Sequence, residues 1–128
     1  MPLYRCTSPA SSLDVDQRQE LARAITDIHC ELTGAPPTFV HVQFFEAPRR
    51  AGGPTLFLHG GIRAGRDGEL VDALVERCCA AAARIASVPV DQVAMRTSQT
   101  HASWVFEGGR VFPEPGDEAS WTASATHP

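Results

Sequence analysis

Proline follows the first methionine of this chain, and loss of Met1 would convert the Pro2 ring nitrogen from an amide into a free secondary amine. A second residue as small as proline permits that loss. An N-terminal amine titrates at about 8 in model peptides, and burial or nearby cations lower that value. Pro2 would then exchange protons near neutral pH, which no internal proline can do. Many chains begin Met-Pro without using it, so the residue acquires meaning only from its companions.

The clearest companions are Arg63 and Arg66, in the segment running from Gly60 to Asp67 (GGIRAGRD) between a predicted strand and a predicted helix. Two guanidinium forks three residues apart can clamp a small carboxylate and lower the pKa of a neighbouring amine. Spacing alone favours two solvated surface arginines over a clamp. The segment nearly fits the phosphate loop G-x-x-x-x-G-K-[ST], but Arg66 replaces the lysine and Asp67 the hydroxyl residue. A carboxylate at that helix start would repel phosphate, which argues against a nucleotide site.

His29 borders the apolar stripe of the first predicted helix, where a histidine is more often a satisfied edge residue than a catalytic one. Glu107 follows Trp104-Val105-Phe106 and precedes two glycines. It is a half-buried carboxylate able to activate water, or a solvated hairpin end. His41, His59, His101 and His127 have no metal-ligand spacing, and the sequence carries no G-x-S-x-G, H-E-x-x-H, C-x-x-C or dinucleotide fingerprint. The expectation is chemistry without metal or cofactor.

At 128 residues, 43% apolar and 20% charged, the chain is sized for one globular domain. Domains this small bury less of their surface and often gain core by self-association. A formal charge of −4 argues against nucleic acid or an anionic membrane surface as partner. No apolar run approaches the roughly 20 residues of a bilayer span, and no basic-then-apolar leader opens the chain. Cys6, Cys30, Cys78 and Cys79 read as reduced thiols of a cytoplasmic protein, not as a disulfide framework.

The elements that must position these side chains occur twice. An offset of 53 residues sets Leu3 on Leu56, Asp14 on Asp67, Leu21 on Leu74, Leu32 on Ile85, Pro36 on Pro89 and Val40 on Val93. Each copy reads as an apolar strand, an acidic helix start, apolar residues at helical spacing, a proline turn and a second strand. In the first copy Val40, Val42 and Phe44 alternate with His41, Gln43 and Phe45. Two such β-α-β units predict an α/β (α+β) fold, a four-stranded sheet with both helices on one face. The boundaries are 2–53 for the first unit, 54–100 for the second, and 101–128 for a short hairpin and loose tail within one domain. The uncovered sheet face predicts self-association.

Taken together, the start Pro2-Leu3-Tyr4, the helix segment from Ala24 to Gly34, the loop from His59 to Arg66 and the stretch from Gly109 to Gly116 resemble the tautomerase superfamily. They are most similar to its cis-3-chloroacrylic acid dehalogenase-like group, over nearly the whole chain. The resemblance implies two β-α-β units per chain, a homotrimer, and an N-terminal proline as catalytic group. By position it implies Pro2 as the proton carrier and His29, Arg63 and Arg66 as contacts to a small carboxylate substrate. Glu107 would activate water in hydrolytic members. Arg96, a further candidate for substrate binding, stands where the dehalogenases have a tyrosine partner for that glutamate, and a guanidinium donates hydrogen bonds without accepting them. The departure favours keto-enol tautomerisation over the alternatives, a hydratase or cis-3-haloacrylate dehalogenase. A non-catalytic trimeric binding module is the third reading, and retention of Met1 would favour it.

Overall fold

The computed structural model describes residues 2–124; Met1 and His127 lie outside the described residues. Strand β1 (Leu3–Ser8) buries Tyr4, Cys6 and Ser8 while Arg5 faces solvent, the alternation expected of a half-covered strand. Helix α1 (Val15–Thr33) begins with a capping box. Asp14 accepts from the Gln17 backbone N–H at 2.8 Å, and the Gln17 side chain accepts from the Asp14 N–H at 2.9 Å. It ends where Gly34 adopts φ 75°, the left-handed turn that releases the chain from the helix. A turn at Pro37–Phe39 leads into β2 (His41–Glu46).

The second copy repeats this plan. Strand β3 (Leu56–Arg63) precedes helix α2 (Gly68–Ala86), which Asp67 caps through the Leu70 N–H. A turn at Val90–Gln92 then opens β4 (Val93–Thr100). Both long helices have 19 residues, and their starts, Val15 and Gly68, stand at the offset read from the sequence.

One sheet holds the four strands in the order β2-β1-β3-β4. Pairing is parallel within each unit and antiparallel where β1 meets β3. Leu21, Ile25 and Ile28 of α1, with Leu74, Cys78 and Ala82 of α2, pack on the face carrying Tyr4, Cys6, Leu56 and Leu58. Each buried leucine or isoleucine contributes about 1.5–3 kcal/mol relative to an exposed one. The opposite face bears Gln43, Arg5, His59 and Arg96 in one row across the sheet. All four cysteines are free thiols.

The C-terminal segment is more ordered than a loose tail. Strands β5 (Phe106–Glu107) and β6 (Arg110–Val111) form a hairpin whose turn, Gly108-Gly109, has φ of 59° and 78°, values that suit glycine. Helix α3 (Glu118–Ser124) follows. Phe112 and Trp121 supply its anchor, meeting Phe39 at ring-centre distances of 4.7 and 5.6 Å. Prolines and glycines predicted the irregular backbone; the two aromatics dock it.

Gly60 allows Tyr4 to lie flat in the core. A Cβ at Gly60 would come within 2.8 Å of the Tyr4 ring and 3.2 Å of the Met95 methyl. Tyr4 is 1% exposed and has nowhere to retreat. Gly60→Ala should therefore destabilise the fold by about 1–3 kcal/mol, the usual cost of overpacking. A thermal melt checks this; an unchanged Tm would show that the ring moves freely.

Candidate active site

The antiparallel junction decides what lies near Pro2. Leu3 pairs with Gly61, so the start of β1 lies beside the end of β3, where the arginine loop begins. Pro2 is fully buried, and its carbonyl accepts from the His41 N–H at 3.0 Å. Tyr4, two residues on and therefore on the same face of β1, reaches α1: its hydroxyl lies 2.7 Å from His29 Nδ1.

This dyad is electrically neutral. His29 is 2% exposed, and burial, helped by the charges of Arg66 and Arg63, pushes its pKa down to about 4. Burial likewise drives the Tyr4 phenol well above its ordinary value. With Nδ1 engaged, the other ring nitrogen, Nε2, is buried without a partner among the described residues. Native structures rarely leave such an atom unsatisfied, so it calls for an explanation.

Arg63 is the last residue of β3, and Arg66 follows in the short loop before α2. Gly65, at φ 101°, provides a backbone conformation there that other residues rarely adopt. The two arginines differ in their engagements. Arg63 donates to the Pro113 carbonyl and to the Glu118 carboxylate, each at 2.7 Å. Arg66 is half-buried, and its Nε has no partner among the described residues. Burial and the charge of Arg63 lower its pKa, while Glu118 and Tyr4 oppose the shift.

Pro2, His29, Arg63 and Arg66 thus gather at one end of the sheet. Glu107 is exposed on β5. Arg96 pairs by register with His59, four positions short of the β3 end, roughly 13 Å along the strand. It lines a cleft of about 600 Å³ with Thr7, Arg49, Arg50 and Phe57. Sequence reasoning missed two members of the cluster, Tyr4 and Glu118. Tyr4 carried a readable signal, since it lies one alternation from Pro2 and is the only tyrosine. Glu118 carried none, because its position depends on how the tail docks. Among the described residues, no helix is long and apolar enough to cross a membrane.

Comparison with known proteins agrees with this architecture. Residues 1–102 match the Tautomerase_3 family model, described as "Putative oxalocrotonate tautomerase enzyme". The chain is similar to the crystal structure of N1, a member of the cis-3-chloroacrylic acid dehalogenase family. That match has 28% identity and a TM-score of 0.89, covering 99% of this chain and 93% of that one. It is also similar to native Ps01740, at 32% identity and a TM-score of 0.77 over 83% of this chain and all of the other. Native fused 4-OT shares the fold at 20% identity, with a TM-score of 0.77 over 86% of this chain and 95% of that one. No curated protein sequence matches the chain. With the paired β-α-β units and the family match in hand, the chain belongs to the tautomerase superfamily, in the part that resembles the cis-3-chloroacrylic acid dehalogenases.

Proposed function

We propose that the protein is a tautomerase that moves a proton between oxygen and carbon in a small enol carboxylate, with Pro2 as the proton carrier. The observation that carries this reading is the company kept by Pro2: a neutral His29 with a free Nε2 and an Arg66 with a free Nε, both buried. A carboxylate and an adjacent enol oxygen would satisfy both atoms.

In this mechanism Met1 is removed and Pro2 is a neutral amine, kept so by the field of Arg66. The Tyr4 hydroxyl donates to His29 Nδ1, which leaves the proton on Nε2 as a donor. Arg66 holds the substrate carboxylate. The Pro2 nitrogen takes the enol O–H proton and returns a proton to the carbon end of the C=C bond, which becomes C–H as C–OH becomes C=O. His29 Nε2–H and Arg66 stabilise the charge that develops on oxygen between the two transfers. No water is consumed, so an exposed Glu107 and a distant Arg96 are no obstacle. The open sheet face, with Phe45 40% exposed beside the row of polar side chains, supports assembly as a homotrimer.

Ketonisation of phenylenolpyruvate tests the reading. The Met1-free protein should catalyse it, and Arg66→Ala should lose about ten- to a hundredfold in kcat/KM, the equivalent of a hydrogen bond to a charged group. One residue added before Pro2 should abolish turnover by restoring the amide. Full activity in the extended protein would exclude Pro2, and retained Met1 would favour the binding-module alternative. The same preparation should sediment at the mass of three chains, and a monomer would remove the trimer from the proposal.

The neutral dyad also predicts a pH dependence. His29 titrates at about 4 in the fold against 6.5 ordinarily, so between these values the unfolded chain binds a proton that the folded chain refuses. Its contribution to stability is complete above 6.5 and is lost as pH falls toward 4, at no more than about 1.4 kcal/mol per pH unit. Urea unfolding of wild type and His29→Gln should show the variant with the shallower loss through this window. Parallel profiles would mean that His29 is charged in the fold.

A further inference from the structure

Glu118 begins α3, and its carboxylate closes on the arginine loop. Oε1 accepts from Arg63 Nη2 at 2.7 Å, and Oε2 accepts from the Gly116 N–H at 2.9 Å. The pair is internal, with the Arg63 side chain 1% and the Glu118 side chain 12% exposed. The remaining surroundings fix it in place. The Arg63 guanidinium lies 5.3 Å from the Phe112 ring centre and 5.8 Å from that of Phe39. Trp121 packs on both rings and donates from its indole N–H to the Val111 carbonyl. Arg110 lies over Trp121 and bonds its carbonyl. Burial alone would raise the Glu118 pKa, but the hydrogen bond and charge of Arg63, with the backbone N–H groups, bring it below the usual carboxylate value.

The charges of the cluster can therefore be counted. Tyr4 and His29 are uncharged, as is Pro2 in the proposed mechanism. Arg63 and Arg66 each carry one positive charge, and Glu118 carries one negative. Asp67, Glu114 and Asp117 nearby in sequence are exposed, where salt screens them. Among Arg63, Arg66 and Glu118 one positive charge remains, and it belongs to Arg66, whose Nε has no partner among the described residues; Arg110, which also has an unpartnered nitrogen, is bonded to Trp121 and Ser124. We infer that Glu118 determines specificity: by neutralising Arg63 it leaves the cluster a single positive charge, which selects a substrate with one carboxylate over a substrate with two. A second carboxylate would meet Glu118, whose partner Arg63 is already neutralised. This rests on the reading of the cluster as a carboxylate site.

Calorimetric titration of the Met1-free protein with crotonate and fumarate tests it, since these differ only in a methyl group against a second carboxylate. Wild type should bind crotonate about tenfold or more tightly than fumarate. Glu118→Gln raises the sum to two and should shift the ratio at least about tenfold toward fumarate. The double variant Arg63→Gln/Glu118→Gln returns the sum to one and should restore the preference for crotonate. If Glu118→Gln fails to fold, Arg63→Gln alone, with a sum of zero, should bind both ligands weakly beside a double variant that binds crotonate. A wild-type preference for fumarate, or a ratio unchanged across the folded variants, would overturn the inference. Binding is read as heat and not as turnover. A series that follows the charge count in a protein without tautomerase activity would thus uphold this inference and remove the proposed reaction.

Discussion

The antiparallel pairing of β1 with β3 is the constraint on which the site depends. Each β-α-β unit is parallel inside and could close by itself, yet neither unit alone holds the whole cluster. Pro2 and Tyr4 come from the first strand of one unit, and Arg63 and Arg66 from the first strand and loop of the other. Only an antiparallel junction brings the beginning of one strand to the end of the next, as the pairing of Leu3 with Gly61 does. A parallel pairing of the same strands would put the chain start at the Leu56 end, far from both arginines. His29 then joins because α1 lies over the face that Tyr4 points into.

Electrostatics in this corner follows from burial. Moving a histidine out of water costs its charged form, and two guanidinium groups nearby add to that cost. The result is a neutral imidazole at ordinary pH, oriented by a phenol that is itself neutral. Two guanidinium groups side by side, one buried and one half-buried, would be unfavourable without compensation, and Glu118 supplies it for Arg63. The aromatic rings of Phe39, Phe112 and Trp121 exclude water from that pair. Arg66 lacks such an arrangement, which is why it is the arginine left with an unmatched nitrogen.

Much of the fold was legible because it is written twice. Asp14 and Asp67 marked both helix starts, and the apolar positions from Leu21 and Leu74 onward marked both buried stripes. The alternation of Val42 and Phe44 with Gln43 and Phe45 gave the two faces of β2. The gathering of Pro2, His29, Arg63 and Arg66 came through the resemblance and not through spacing, since spacing favoured surface arginines and an edge histidine. What escaped was tertiary. The tail from Gly108 has no periodicity, so neither the docking of Trp121 nor the reach of Glu118 to Arg63 was visible. The different engagements of the two arginines depend on that docking and were invisible with it.

The proposed chemistry turns on a free Pro2 nitrogen in the field of Arg66, and nitrogen-15 NMR of proline-labelled protein reads that atom directly. If Pro2 carries the proton, its nitrogen has the chemical shift of an amine, titrates below the value of about 8 usual for a chain terminus, and titrates higher in Arg66→Ala. A signal of amide type that does not titrate, or a titration that Arg66→Ala leaves unmoved, would contradict that role.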